Sequence, residues 1–233
     1  MDQHRRLSAL RHVPILTGLS DTSLERVARA CKWQQFEAGE QLVRYHDPST
    51  EVFFLTTGKL RVIVYSLEGK AVQFTDLKPG AMFGEIAAID RAVRSAGVEA
   101  IETSTVASLT ADQFEELLVR EPRVAVTTLK HVAAEVRRLS ERVVEFSTLV
   151  VQNRIQAELL RLVADTGKGG GDALLSPAPS LADIAERIST HREAVSRELS
   201  RLGSIGLLRR EGADLRIVDV ARLEKLVREV KGE

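Results

Sequence analysis

Short apolar segments separated by turn-forming residues fill the middle of the chain, between residues 52 and 109. These segments, rich in β-branched and aromatic side chains, are residues 52–55, 60–65, 72–75 and 105–109. Turn signals lie between them at Gly58, Glu68-Gly69-Lys70 and Lys78-Pro79-Gly80. Short strands with such punctuation predict a small antiparallel barrel or roll. Upstream, the spacing of apolar residues over 23–28 predicts a short helix packed against it.

A long amphipathic helix is predicted after the roll. Thr110 and Gln113 form a capping-box pattern, so one helix should begin at Ala111 and end near Pro122, where the longer helix starts. Its apolar residues recur in alternating steps of three and four, at Leu129, Val132, Val136, Leu139, Val143, Phe146 and Val150. This heptad spacing, flanked by charged residues, favours a coiled-coil dimer helix, which we call the seam helix. A surface helix packed on its own domain is the alternative.

The last third of the chain contains two closely spaced helix-start signals. A helix over 154–164 is broken by the glycine-rich stretch 167–172. Ser180 with Asp183, and Thr190 with Glu193, then form capping-box patterns only a tight turn apart, which predicts a helix-turn-helix. Two short strands around a turn at 211–214 predict a hairpin wing. Arg209 and Arg210 in that wing either contact phosphate or are simply solvated.

Composition narrows the possible functions. The 233 residues are 44% hydrophobic, with no apolar run near the roughly 20 residues that span a bilayer, so we expect a cytoplasmic protein of two domains. Cys31 is the single cysteine, and no two of the five histidines form an H-x-H or H-x-x-x-H pair. We therefore expect no metal site and no catalytic constellation. Net charge is zero, which neither favours nor excludes nucleic acid.

The run Met82-Phe83-Gly84-Glu85-Ile86-Ala87-Ala88-Ile89, followed by Arg94-Ser95-Ala96, carries the most specific chemistry. Gly84 lets the backbone approach a ligand, Glu85 can accept a hydrogen bond from a sugar hydroxyl, and Arg94 can fork onto a phosphate. One arginine balances one negative charge. The run therefore indicates a small, sugar-bearing anion.

The second helix of the predicted helix-turn-helix carries polar residues suited to a DNA groove. Arginine can donate to guanine O6 and N7 together, which makes Arg192 and Arg197 candidates for base reading. Glu193 can accept from cytosine N4, but it can equally cap the backbone of Thr190, and the residues alone do not decide between the two.

The cassette (residues 83–96), the seam helix and the helix-turn-helix, in that order, resemble the CRP/FNR family of bacterial transcription regulators. The resemblance implies an α+β fold: an N-terminal antiparallel β-roll (residues 1–122), a long dimerisation helix (123–150) and a C-terminal winged helix-turn-helix (151–233). It implies that Glu85 binds the ribose 2′-hydroxyl of cyclic AMP or cyclic GMP, that Arg94 and Ser95 bind the cyclic phosphate, and that Glu193 reads a base. It also implies double-stranded DNA with a TGTGA-like palindrome and RNA polymerase as partners.

The residues that the resemblance assigns fall into two sets. Expected at the ligand are Phe83, Gly84, Glu85, Ile86, Ala87, Arg94, Ser95, Ala96, Leu139 and Ser140. Expected at the DNA are Ser180, Thr190, His191, Arg192, Glu193, Ser196, Arg197 and Arg201.

Two positions depart from the family pattern. Leu139 stands where the family's cyclic AMP receptor has a threonine that contacts the base, so Ser140 alone supplies a hydroxyl there, and Ser95 could instead serve a guanine. Cyclic AMP is favoured and cyclic GMP stays open. His46 stands where the family usually has glycine, which predicts a strained turn with positive φ.

Two other classes of function compete with this interpretation. A cyclic-nucleotide-binding regulatory module of an enzyme or channel would explain Glu85 and Arg94, but not the helix-turn-helix. A metal-dependent enzyme of the cupin type would suit a roll, but the paired histidines that it needs are missing.

Overall fold

The computed structural model describes residues 3–66, 71–166 and 171–231, so the turn predicted at 68–70 and most of the predicted glycine break lie outside the described residues. Its first elements are α1 Gln3–Arg11, a 3-10 turn Pro14–Leu16, α2 Asp21–Ala30, β1 Lys32–Phe36, β2 Gln41–Val43, β3 Val52–Thr57, β4 Leu60–Tyr65, β5 Ala71–Leu77, β6 Met82–Phe83, α3 Glu85–Asp90, β7 Gly97–Ala100, β8 Ser104–Leu109 and α4 Ala111–Arg120. Then follow α5 Pro122–Thr148, α6 Val151–Ala164, β9 Ala173–Leu175, α7 Leu181–Arg187, α8 Arg192–Ser204, β10 Leu208–Glu211, β11 Asp214–Ile217 and α9 Val220–Lys231.

The predicted roll consists of two antiparallel four-stranded sheets, ordered β1-β8-β3-β6 and β2-β7-β4-β5. Strand β3 shows why its apolar run is unbroken. Phe53 and Leu55 face a core that Leu60, Phe83 and Val98 share, while Val52 and Phe54 face the helices. A strand buried on both faces needs apolar residues at successive positions. The four predicted strands are confirmed, but β1, β2, β6 and β7 were not anticipated.

Helices cover the outer face of the first sheet. Leu24 and Val27 of α2 and Phe114 and Leu117 of α4 join the core that contains Phe54. The capping box at the start of α4 is confirmed, because Thr110 Oγ1 accepts from the Gln113 amide while the Gln113 side chain accepts from the Thr110 amide. Cys31 lies in the same core, and burial raises the pKa of its thiol to about 12.

The second half forms its own core around α6, α7, α8 and α9. Ile155, Leu159, Ile184, Val195 and Leu202 are among its fully buried side chains. Strands β10 and β11 form the predicted wing hairpin, and β9 adds a third strand to it. The α+β class, with a roll followed by a long helix and a winged helix-turn-helix, is therefore confirmed.

The long helix ends earlier than predicted. It ends at Thr148, so Val150, the last predicted seam residue, lies outside it as the N-cap of α6. The chain divides into two compact units, residues 1–136 and 137–233. Within the described residues, no helix is both long enough and apolar enough to cross a membrane.

Candidate functional site

The cassette turns sharply at Gly84, between β6 and α3. Gly84 has φ of 80° and ψ of 4°, a left-handed conformation that glycine adopts without strain. A Cβ atom there would lie 2.6 Å from Arg94 Nη1 and 2.8 Å from the Glu51 carbonyl oxygen. Both backbone conformation and space therefore require glycine at this position.

Arg94 is buried beside this turn, with 2% of its surface exposed. Its Nε donates to Ser49 Oγ at 3.0 Å, Nη1 to the Gly84 carbonyl oxygen at 3.1 Å, and Nη2 lies 3.4 Å from Glu51 Oε2. The guanidinium also lies over the Phe53 ring, 5.4 Å from its centroid. Burial lowers the pKa of Arg94, and the carboxylate of Glu51 opposes that effect. A buried, oriented guanidinium of this kind is suited to bind an anion in the cassette.

Sequence reasoning missed Ser49, Glu51 and Phe53, which hold Arg94 in place. They precede or begin β3, more than forty residues before the arginine. No local pattern distinguishes Ser49 and Glu51 from ordinary loop residues or Phe53 from any other apolar strand residue, since only the tertiary fold brings the three to the cassette. Phe53 also stacks on Phe83, with ring centroids 4.9 Å apart, so it links two walls of the site.

Glu85, the first residue of α3, is 7% exposed. Burial is the largest influence on its carboxyl pKa and raises it. His131 on α5, whose Nε2 lies 3.8 Å from Glu85 Oε1, lowers that pKa, and Arg94 does the same. Glu135, also on α5, raises it. The carboxyl group is therefore influenced by two basic side chains and one acidic side chain, and two of these three, His131 and Glu135, belong to the long helix.

The remaining predicted cassette residues differ in exposure. Phe83 and Ala87 are buried, whereas Ile86 and Ser95 are exposed and Ala96 is intermediate. Ser95 is therefore open to a ligand beside Arg94. At the neighbouring turn, the His46 amide donates to the Arg94 carbonyl oxygen at 3.0 Å, and the Arg94 amide to the Asp47 carbonyl oxygen at 2.9 Å. His46 has φ of 64°, which confirms the predicted positive φ.

The predicted base-contacting residues Leu139 and Ser140 lie on α5 in the second compact unit, and both are exposed. Their meeting with the cassette on one ligand stays a prediction. The seam itself is open: Leu129, Val136, Leu139, Val143, Phe146 and Val150 are each at least 39% exposed. Phe146 is flanked by cations, with Arg142 and Arg154 over its ring at 5.6 and 5.1 Å.

The helix-turn-helix presents a polar face on α8. His191, Arg192, Glu193, Ser196 and Arg197 are all exposed. Among the residues that the structure describes, no hydrogen bond or ion pair is found for Arg192, Glu193 or Arg197. These side chains therefore remain available to a groove. Arg201 differs, because it binds the buried Glu198 through two contacts of 2.8 and 2.6 Å.

The two predicted capping boxes of the helix-turn-helix have different outcomes. Ser180 caps α7 together with Asp183, as expected. The box at Thr190 and Glu193 is wrong: α8 begins at Arg192, and its N-cap is His191, which has no side-chain cap bond. Thr190 instead ends the preceding turn, where its amide donates to the Ala185 carbonyl oxygen at 2.9 Å. The capping role for Glu193 is thereby removed.

A buried ionic cluster joins the end of α5 to α6 and α7. We call it the Glu158 cluster. The Glu158 carboxylate accepts from Arg142 at 3.1 Å, Arg161 at 2.9 Å and Arg187 at 3.4 Å. Arg161 also binds both oxygens of Glu145, and Arg142 donates to the Arg187 carbonyl oxygen. Removing one member of such a buried group costs about 3–5 kcal/mol, because it leaves charge unpaired. The last turns of α5 are therefore fastened to the first helix of the helix-turn-helix.

No group of three or more metal-ligating side chains is found in the described part of the chain. The cupin-type interpretation therefore gains no support from the geometry. What the described residues do bring together is a buried arginine and a buried glutamate in one cassette, followed by an exposed arginine-bearing helix.

Comparison with known proteins agrees with this arrangement. The model of the cyclic nucleotide-binding domain matches residues 33–121, and that of the Crp-like helix-turn-helix domain matches residues 153–226. The second match favours a DNA-binding regulator over a nucleotide-binding module without DNA binding.

Two relatives are similar along most of their length. A CRP-like cAMP-activated global transcriptional regulator of Mycobacterium tuberculosis is 22% identical over 220 residues, which cover 94% of this chain and 98% of the relative. The cyclic AMP receptor protein of Thermus thermophilus is 27% identical over 216 residues, covering 91% and 96%.

A solved structure shows the same fold. A CooA mutant from Carboxydothermus hydrogenoformans superposes with a TM-score of 0.78 at 19% identity, over 94% of this chain and 95% of that one. With a cyclic nucleotide-binding domain followed by a Crp-like helix-turn-helix, and with similarity along nearly the whole chain to a CRP-like transcriptional regulator and a cyclic AMP receptor protein, the chain belongs to the CRP/FNR family.

Proposed function

We propose that this protein is a homodimeric transcription regulator whose affinity for a palindromic DNA site is controlled by a cyclic nucleotide. The observation that carries the proposal is the buried guanidinium of Arg94 against Gly84, in a chain that also contains the exposed Arg192 and Arg197 of α8.

In the ligand site, Arg94 binds the cyclic phosphate and Glu85 accepts a hydrogen bond from the ribose 2′-hydroxyl. In the structure, Arg94 is paired with the half-exposed Glu51. A phosphate entering the cassette would compete for the same guanidinium. A charge-assisted hydrogen bond of this type contributes roughly 1.5–3 kcal/mol.

Cyclic AMP is the favoured ligand. Two similar proteins are named as a cAMP-activated regulator and a cyclic AMP receptor. Ser140 would bond the base, while Leu139 offers no hydroxyl. Since Ser95 is exposed beside Arg94, a guanine could bond there, and cyclic GMP is the second ligand to test.

The dimer forms along α5. If the seam packed on its own domain, its residues would be buried, yet six of the predicted residues are at least 39% exposed: Leu129, Val136, Leu139, Val143, Phe146 and Val150. An apolar stripe this long, repeated in heptad steps, fits a second copy of the same helix.

On DNA, α8 lies in the major groove. Arg192 and Arg197 read guanine, and Glu193, which is free of any capping role, accepts from cytosine N4. The two recognition helices of a dimer must lie about 34 Å apart to enter successive major grooves, which requires a palindromic site. The family resemblance implies that its half-site is TGTGA-like. The ligand favours the arrangement that meets this spacing, so it shifts the population toward it. RNA polymerase is the further partner that the family resemblance implies.

The test is a DNA-binding titration on a TGTGA-like palindrome without ligand, with cyclic AMP and with cyclic GMP. We expect cyclic AMP to tighten binding most. Failure to retain the palindrome at low salt under all three conditions would contradict the DNA role.

Base reading is tested by Arg192→Ala on variant palindromes. The substitution should relax the preference at one base pair, at a cost of about 1–3 kcal/mol on the preferred site. Arg228→Ala, an exposed arginine on α9, is the control. An equal loss on every sequence would identify Arg192 as a phosphate contact instead.

A further inference from the structure

The cassette glutamate is reached by α5 of its own chain. His131 Nε2 lies 3.8 Å from Glu85 Oε1, and the side chains are 33% and 9% exposed, respectively. This separation is slightly longer than a hydrogen bond, so a small shift of either side chain closes it. The contact lies within the first compact unit, together with the rest of the cassette.

Titratable groups influence Glu85 from two directions. From α5 come His131 and Glu135, four residues apart and thus on one face of the helix. Arg94 contributes from the end of the cassette. His131 and Arg94 favour the ionised form of Glu85, and Glu135 disfavours it, against a background of burial that also disfavours it.

These opposing influences on the Glu85 carboxyl determine how well it accepts a hydrogen bond from a sugar hydroxyl. An ionised carboxylate accepts from a hydroxyl in a short charge-assisted bond, whereas a protonated one is a poorer acceptor. A group that keeps Glu85 ionised and oriented toward the ligand therefore strengthens the ribose contact without touching the ligand.

We propose that His131 is the positioning residue for Glu85, which holds the carboxylate as an acceptor for the ribose hydroxyl and so links occupancy of the sugar site to α5. Glu135 acts in the opposite sense from the next turn of the same helix. This inference rests on the proposed function and deepens it, because it assigns ribose selectivity to two residues outside the cassette.

The test uses the full-length protein and isothermal titration calorimetry. The probes are cyclic AMP, or cyclic GMP if wild type prefers it, and the corresponding 2′-deoxy analogue. The variants are His131→Ala, His131→Gln, His131→Lys and Glu135→Gln. Lys130→Ala, which removes an exposed cation from the same helix, is the matched control.

We expect His131→Ala to weaken binding of the ribose ligand roughly three- to fivefold, as for a partly exposed ion pair, and to leave the 2′-deoxy analogue unchanged. Glu135→Gln should tighten the ribose ligand only. Rescue by His131→Lys identifies charge as the cause, and rescue by His131→Gln identifies hydrogen bonding. Unfolding midpoints confirm that each variant is folded.

The contradicting outcomes are distinct. Equal losses for both nucleotides, or no loss with His131→Ala, would overturn the role of His131 while leaving the proposed function intact. Failure of wild type to bind any cyclic nucleotide would overturn the proposed function itself, and this inference with it.

Discussion

Arg94 shows how a single buried charge can be held ready for a ligand. Its guanidinium is already bonded to a serine hydroxyl, a main-chain carbonyl and a carboxylate, so its orientation is set before any anion arrives. A pre-oriented fork loses less conformational entropy on binding than a flexible one.

Replacing Arg94 by alanine should weaken cyclic nucleotide binding by about 10- to 100-fold, because a charge-assisted contact to the phosphate is lost. Calorimetry measures the loss, and urea unfolding shows whether the fold is kept. Arg91→Ala is the matched control, since that exposed arginine pairs with Asp112 and Glu115. An unchanged dissociation constant for Arg94→Ala would refute the cassette assignment.

Glu85 gives the ligand-free protein a pH-dependent stability. Its pKa is raised on folding, chiefly by burial. The stabilisation from its protonated form is therefore fully present below the unfolded pKa of about 4.3 and is lost as pH rises through the higher folded value.

Glutamine does not ionise, so Glu85→Gln should remove this pH-dependent loss of stability. Relative to wild type, the variant should gain unfolding free energy as pH rises from 4 toward neutral. Urea unfolding at a series of pH values, without ligand, measures the difference. Two curves that stay parallel over that range would show that Glu85 titrates alike in both states.

At the scale of elements, α5 contains most of the apolar seam and leads into the DNA-binding half. Its exposed apolar residues stand on one side, and the Glu158 cluster fastens its last turns to α6 and α7. Separating the last turns of α5 from α6 and α7 would leave buried charge unpaired, at a cost of about 3–5 kcal/mol.

Val143→Asp should dissociate the proposed dimer. The side chain is 64% exposed in the single chain, and burying such a group at an interface contributes about 1.5–3 kcal/mol, twice over in a symmetric pair. Sedimentation equilibrium measures the association. Glu141→Gln, off the seam, should leave it unchanged. A Val143→Asp protein that remains dimeric would place the interface elsewhere.

Much of the fold could be predicted, because strong periodic signals dominate it. The apolar runs of β3 and β4 and the capping box of α4 are local patterns, and each was confirmed. Strand β1 was missed because Lys32, Gln34 and Gln35 make it polar. Strand β6 was missed because a strand of two residues is too short to show an alternating pattern. The cap of α8 was misassigned since Thr190 fits the pattern equally well, and only the chain path shows that the cap is His191, one residue later, with the helix starting at Arg192.

The site divides along similar lines. Gly84, Glu85 and Arg94 lie within eleven consecutive residues and could be recognised as a motif. Ser49, Glu51 and His131 could not, since they reach the cassette from other elements through tertiary packing.

For the whole molecule, the proposed control of DNA by ligand carries a thermodynamic condition. If cyclic nucleotide raises DNA affinity by some factor, palindromic DNA must raise nucleotide affinity by the same factor. Paired titrations, of DNA with and without nucleotide and of nucleotide with and without DNA, measure both factors.

Ser140→Ala should lower both factors together toward one, because it removes the proposed base contact on α5. The exposed Ser147, further along that helix, offers Ser147→Ala as a control. Retention of the full factor in the Ser140 variant would mean that coupling travels by another route.

Cys31 makes such measurements practical. The single thiol lies in the core beneath α2, and at neutral pH its raised pKa leaves almost no thiolate to react. A thiol reagent should therefore modify the native protein only as fast as the N-terminal core opens. The rate of modification then measures the rate of that opening. For the same reason, a cysteine introduced at an exposed position such as Ser147, outside the proposed ligand contacts, would be the one site labelled, and a fluorophore there would report on α5 in an otherwise natural chain.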